Sequence, residues 1–241
     1  MIRRRVKGRP PSPNGASSFH LWWDDPGPFD AVEVTLTVEV APQVPDLYFW
    51  ALQVGFAGPE GSLGGAHLGL QWNPRHPGSG AVNWGGYAAD GTILEGTGSV
   101  LPSTPDDPNT RDFPWRPETG YRLRIEAGER VGWWRGVIID TESGESVVVR
   151  DLAGGGSRLV DPVQWSEVFA ACDAPSVVVA WSDPRGEIEE QRRAPAGYRV
   201  TYQPLRAGGC SNTDVAVASG AVRQLTAVRR RVAEGTWIPV G

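Results

Sequence analysis

The stretch from Leu47 to Tyr87 constrains the fold most, because three runs with strand character follow one another there with only turn-forming clusters between them. The runs read LYFWALQVGF, AHLGLQW and AVNWGGY, and the separators GPEGSLGG and NPRHPGSG are built from residues that break strands and form turns. Side chains alternate between the faces of a strand. One face of the resulting sheet therefore receives Trp50, Leu52, Val54, Leu68, Leu70, Trp72, Val82 and Trp84, which is a core face. The other receives Gln53, His67, Gln71, Asn83 and Tyr87, side chains that can hydrogen-bond a polar ligand, with Gly55, Gly69 and Gly85 among them to leave room for one. This division holds only for one register, since a slip by one residue exchanges the faces.

Around this centre the chain continues to read as strands. Val32, Val34, Leu36, Val38 and Val40 alternate with Glu33, Thr35, Thr37 and Glu39, a strand with one wet face. FHLWWD, YRLRIE, VGWWRGVIID, SVVVRDL, SVVVAWS, EIEEQ, YRVTYQ, DVAVAS and AVRQLTAV supply the others, with turns expected at Asp90-Gly91 and in TESGE. LPSTPDDPNTRDFPWRP, with five prolines, is expected to be a long irregular loop. DPVQWSEVFAA offers the one helix: Asp161 can cap it, Pro162 suits its first position, and Val163, Val168 and Phe169 can face the sheet. So many strands with a single short helix predict an all-β chain, a two-sheet antiparallel β-sandwich of jelly-roll type. Residues 1–18 read as a flexible, basic, Pro-rich arm and residues 19–241 as a single sandwich domain.

Charge and composition remove several functions. A net charge of −5 disfavours a nucleic-acid partner for the domain as a whole, and the basic run Arg3, Arg4, Arg5, Lys7, Arg9 is read as a solvated tail before a phosphate-binding one. Lys7 is the only lysine among 23 basic residues, which leaves none in the sandwich for Schiff-base chemistry. Apolar runs fall short of the ~20 residues that span a bilayer, and no apolar segment follows the basic start as a signal peptide requires. A soluble protein with no membrane association is expected. Cys172 and Cys210 admit either one disulfide or two buried thiols, the bridge implying export, and they are expected to lie near each other.

Catalytic constellations are sparse. Glycoside hydrolysis needs two carboxyl groups facing each other across the scissile bond, and the nearest approach is Glu187-Ile188-Glu189-Glu190. This looks like part of the E-I-D-x-x-E signature of laminarinase-type hydrolases, but Glu189 replaces the Asp and Arg192 stands at the last Glu, so an exposed charged hairpin is the better reading. Ser62 lacks the first Gly of a nucleophile elbow, and His20, His67 and His76 form no recognised zinc spacing. No cofactor, metal or catalytic residue is assigned. Most of the 11 tryptophans are expected in the core, with Trp134 set apart: Gly132 and Gly136 on its face leave the indole without tall neighbours, which suits either packing under a loop or a platform for a sugar ring.

YFWALQVGF, a Gly-rich turn and GGAHLGLQWNP, with Gly69-Leu70-Gln71, resemble the start of a bacterial domain family of unknown function. YRLRIEAGERVGWWRGVIIDTESGE is similar to the paired strands of concanavalin A-like sandwiches. The resemblance implies a concanavalin A-like jelly roll, a fold shared by lectins, hydrolases and lyases, and it carries over no catalytic residue. The expected function is non-catalytic glycan binding, with Gln53, His67, Gln71, Asn83 and Tyr87 on hydroxyls and Trp134 stacked on a ring. A polysaccharide-acting enzyme with loop-borne acid and base, or a structural or protein-interaction sandwich, are the alternatives.

Overall fold

A computed structural model describes residues 4–59, 61–105 and 107–240, so Arg3 of the basic run lies outside the described residues. In chain order the strands are β1 (Ser17–Trp23), β2 (Ala31–Val40), β3 (Tyr48–Gly58), β4 (Gly61–Trp72), β5 (Gly80–Ala88), β6 (Thr110–Asp112), β7 (Gly120–Ala127) and β8 (Trp134–Asp140). They continue as β9 (Ser146–Leu152), β10 (Arg158–Val168), β11 (Val178–Ile188), β12 (Gln191–Arg193), β13 (Gly197–Tyr202), β14 (Asp214–Ala218), β15 (Ala221–Leu225) and β16 (Trp237–Pro239). Two antiparallel sheets result. The first has the order β16-β13-β1-β10-β3-β4-β5-β6; the second runs β14-β15-β11-β2-β7-β8-β9, with β12 paired to β11.

The sheets pack face to face through the apolar sides that alternation assigns. Trp50, Leu52, Val54, Leu68, Leu70, Val82 and Trp84 of the first meet Val32, Val34, Leu36, Leu123, Ile125 and Trp181 of the second, each at most 1% exposed. The expected register of the three central strands is the one found: Gln53 pairs with His67, and Gly69 with both Ala51 and Asn83. Gln53, His67, Gln71 and Asn83 therefore share the outer face of the first sheet. TESGE forms its turn, with Gly144 at φ 75° and the Asp140 carboxylate accepting the N–H groups of Glu142 and Ser143. Glu187–Glu190 forms the charged hairpin, its two turn residues Glu189 and Glu190 at positive φ.

The helix expected from Pro162 to Ala171 is a strand. Most of that segment lies in β10, hydrogen-bonded to β1 on one side and β3 on the other. Asp161 has φ 50° and sits in the register shift between Val160 and Val163, where a bulge and not a helix cap accounts for it. From Val163 the chain alternates with period two. Gln164 and Ser166 point into the core and are satisfied there: Trp23 Nε1 donates to Gln164 Oε1 at 2.9 Å, and the Ser166 hydroxyl donates to Gln224 Oε1 at 2.7 Å. The helical segments among the described residues are two 3-10 turns, Pro77–Ser79 and Leu205–Ala207.

Cys172 and Cys210 are disulfide-bonded, with Cα atoms 5.7 Å apart. The N-terminal segment runs over this end of the molecule: Cys172 N–H donates to Gly8 O at 2.8 Å, Ser211 N–H to Arg5 O at 2.9 Å, and Gly8 N–H to the Asp173 carboxylate at 2.9 Å. The Pro-rich segment after Leu101 is irregular apart from β6, which pairs with Ala81, Val82 and Asn83 at the edge of the first sheet.

Candidate functional site

A groove of about 620 Å³ opens on the outer face of the first sheet. Gln53, His67 and Tyr87 line it, as the alternation of β3, β4 and β5 requires. His20 of β1 and Trp165 and Glu167 of β10 complete it, with Asn14 of the N-terminal segment at its edge. His20 stands opposite Trp165 across the β1–β10 pair, and Val163 stands opposite Gln53 across β10–β3. Five neighbouring strands, β1, β10, β3, β4 and β5, thus present side chains to a common space.

Beneath the polar groups lies a small second apolar cluster, Phe49, Ala51, Val163 and Trp165, on the face away from the main core. Its rings interlock edge to face, Phe49 on Trp165 at 4.8 Å, Phe49 on His67 at 5.4 Å and His67 on Trp165 at 5.6 Å between centroids. This packing fixes His67 from two sides. Trp165 Nε1 donates to Gln53 Oε1 at 3.1 Å, and because an indole nitrogen only donates, the bond sets the amide orientation and turns Gln53 Nε2 toward the groove. Burial pushes the pKa of both His67 and His20 down to about 4. At neutral pH each is an uncharged imidazole with one donor and one acceptor nitrogen.

Glu167 is the one carboxylate that lines the groove among the described residues. Burial raises its pKa above the ordinary range, and Asn14 Nδ2, donating at 3.5 Å, offsets this in part. The groove therefore joins neutral donor–acceptor groups, one partly desolvated carboxyl and the ring of Tyr87, which is 54% exposed at the rim. Among the described residues no cluster of three His, Cys, Asp or Glu is arranged to hold a metal ion.

Three other residues assigned from the sequence lie elsewhere. Gln71 is on the expected face but only 5% exposed, its Oε1 accepting from Asn73 Nδ2 at 2.9 Å. Asn83 is 7% exposed and donates from Nδ2 to the Thr110 hydroxyl at 2.9 Å, because the segment carrying β6 folds over it. The space left by Gly85 is filled by the Asn109 side chain of the same segment, so no ligand can use it. Trp134 is no platform: it is 3% exposed, stacks on Phe56 at 5.9 Å and donates from Nε1 to Gly155 O at 2.9 Å. Gly136 beside it makes way for the indole of Trp84, which a Cβ there would strike at 2.8 Å.

His20, Trp165 and Glu167 were missed from the sequence. Alternation in FHLWW separates His20 from Phe19 and Leu21, and the same rule applied to VQWSEV places Val163, Trp165 and Glu167 on one face. The second signal was masked by the helix-like start at Asp161-Pro162.

No family model matches the chain, and no curated protein matches it. Solved structures do. Scytalido-glutamic peptidase with a peptide-based transition-state analog superposes with a TM-score of 0.52 and 11% identity over 86% of this chain and 97% of that one. SCP-B, a member of the Eqolisin family of peptidases in complex with the tripeptide Ala-Ile-His, gives a TM-score of 0.50 and 11% identity over the same shares. At this identity the likeness establishes a shared β-sandwich fold.

Proposed function

We propose that this protein is a non-catalytic carbohydrate-binding sandwich whose ligand lies in the groove formed by β1, β10, β3, β4 and β5. One observation carries the reading: Gln53, held by Trp165, and His67, packed between Phe49 and Trp165, are uncharged groups that line one groove with neutral His20 and the exposed ring of Tyr87. Sugar hydroxyls both donate and accept, and neutral imidazole and amide groups match them without the desolvation that a full charge entails. Tyr87, an amphipathic ring at a wet edge, supplies the stacking surface that the enclosed Trp134 does not. The disulfide supports an oxidising compartment, where such a protein would meet extracellular glycans.

A second reading, a hydrolase, is favoured by Glu167, whose raised pKa suits a general acid, and by the fold shared with two peptidases in complex with peptide-type ligands. A glycan array, a peptide library and assays for released products from each separate the readings. Binding of a glycan without products, weakened roughly tenfold by Gln53→Ala and unchanged by Asn83→Ala, is the expected result. Turnover of either polymer that Glu167→Gln abolishes would establish the hydrolase instead.

A further inference from the structure

We infer a second binding site, for an oxyanion, at the disulfide end of the molecule. A cavity of about 670 Å³ is lined there by Arg4, Arg229, Arg230 and Arg231. The inference does not rest on the groove reading.

Arg230 is the fixed part of this site. It donates from Nε to Thr213 O at 2.8 Å and from one terminal nitrogen to Cys210 O at 3.0 Å and the Thr213 hydroxyl at 2.8 Å, and its guanidinium lies 3.6 Å from the ring centroid of Tyr202. Every one of these partners is uncharged. Asp214 and Glu234 act on Arg230 only through space, and the Asp214 carboxylate is occupied by the Val232 N–H at 3.0 Å. Arg4, Arg229 and Arg231 have no hydrogen bond or ion pair to a described residue, and Arg229 and Arg231 are exposed.

The second sheet is built otherwise. Arg124, Arg135 and Arg223 on the second sheet each hold carboxylates at 2.6 to 3.1 Å, and acids exceed bases by 28 to 23 overall. In a chain with a surplus of carboxylates, four arginines stand around this one cavity, and none of them holds a carboxylate of a described residue. Guanidinium groups match phosphate, sulfate and carboxylate oxygens in paired geometry, so an oxyanion is the chemistry this cavity fits. Four cations around a space larger than a single ion favour a ligand with two or more negative groups.

The basic N-terminal run gains a role in this arrangement. Arg5 donates to Leu205 O at 3.2 Å and its own carbonyl accepts from Ser211 N–H, so the backbone holds Arg4 and Val6 at the cavity wall. Val228 N–H donates to Asn212 O at 2.9 Å and ties the arginine-bearing segment to the loop that follows Cys210.

The test is calorimetric titration of the full chain with sodium pyrophosphate and, separately, with a heparin-derived hexasaccharide, at two salt concentrations. Three proteins are compared: the wild type, Arg229→Ser/Arg231→Ser, and Arg75→Ser/Arg199→Ser, which loses the same charge elsewhere. The wild type should bind at least one probe with an affinity that falls as salt rises. The cavity variant should bind roughly tenfold more weakly or worse, and the control variant like the wild type. Pyrophosphate bound as tightly as the hexasaccharide identifies an isolated oxyanion site; the hexasaccharide alone identifies a charged chain, and either supports the inference. Binding of neither probe, an unchanged cavity variant, or equal loss in both variants while thermal unfolding shows both folded, would overturn it.

Discussion

His67 shows how one residue in the groove links function to stability. Packed against Phe49 and Trp165, it stays neutral because burial lowers its pKa from 6.5 to about 4. Between those two values the unfolded chain binds a proton that the folded protein does not. Stability that is fully present above pH 6.5 is therefore withdrawn as the pH falls toward 4. His67→Gln keeps a neutral hydrogen-bonding side chain without the titration. Its melting temperature should vary less with pH over this window than that of the wild type, reflecting a difference in stability of order 2 kcal/mol once partial exposure is allowed for. His20 titrates equally in both proteins and cancels. Parallel melting curves across the window would show that His67 is not held neutral by its surroundings.

The strands show what could be read from sequence. The register of β3, β4 and β5 was legible because these strands are neighbours in the chain and one face of each is apolar without exception, so a slip would bury Gln53 and expose Trp50. β10 was not legible. Its Asp-Pro start imitates a helix, and what makes it a strand is the pairing with β1 and β3, far away in sequence, which supplies partners for Gln164 and Ser166. Trp165 and Glu167 of the groove are hidden with it. Asn83 and Trp134 were misplaced for a related reason, since what covers them, the β6 segment and Gly155, is brought over by long-range folding. Gln224 of β15 is the clearest case of such dependence. It is 1% exposed, accepts from Trp181 Nε1 at 2.9 Å and the Ser166 hydroxyl at 2.7 Å, and donates to Phe19 O at 2.8 Å, bridging both sheets. Gln224→Met preserves volume and orphans all three groups, at a cost of about 3 kcal/mol. The urea midpoint should fall accordingly with its slope unchanged; an unshifted midpoint would mean the bridge contributes nothing.

At the scale of the whole molecule the two outer faces of the sandwich are built differently, and the difference argues for where ligand binds. The outer face of the second sheet is closed by its own charges: Arg124 holds Glu33 at 2.8 Å, Glu126 at 2.6 Å and Glu187 at 2.7 Å, while Arg192 holds Glu187 again at 2.7 Å. The outer face of the first sheet instead leaves Gln53 Nε2, two neutral imidazoles and the ring of Tyr87 open to the groove. Stability on one face and binding on the other should then separate. The Glu33 side chain is only 4% exposed, so Arg124→Leu leaves a nearly buried carboxylate with only Arg122, at 4.0 Å, as a cation and should destabilise the fold by about 3 kcal/mol. Adding Glu33→Gln removes the stranded charge and should recover part of that loss. Throughout this series the affinity for any glycan bound in the groove should stay at the wild-type value, because the main core lies between the two faces. Denaturant unfolding and glycan titration on the same three proteins test both halves of the argument. An affinity that follows the stability would mean that the second sheet carries part of the site.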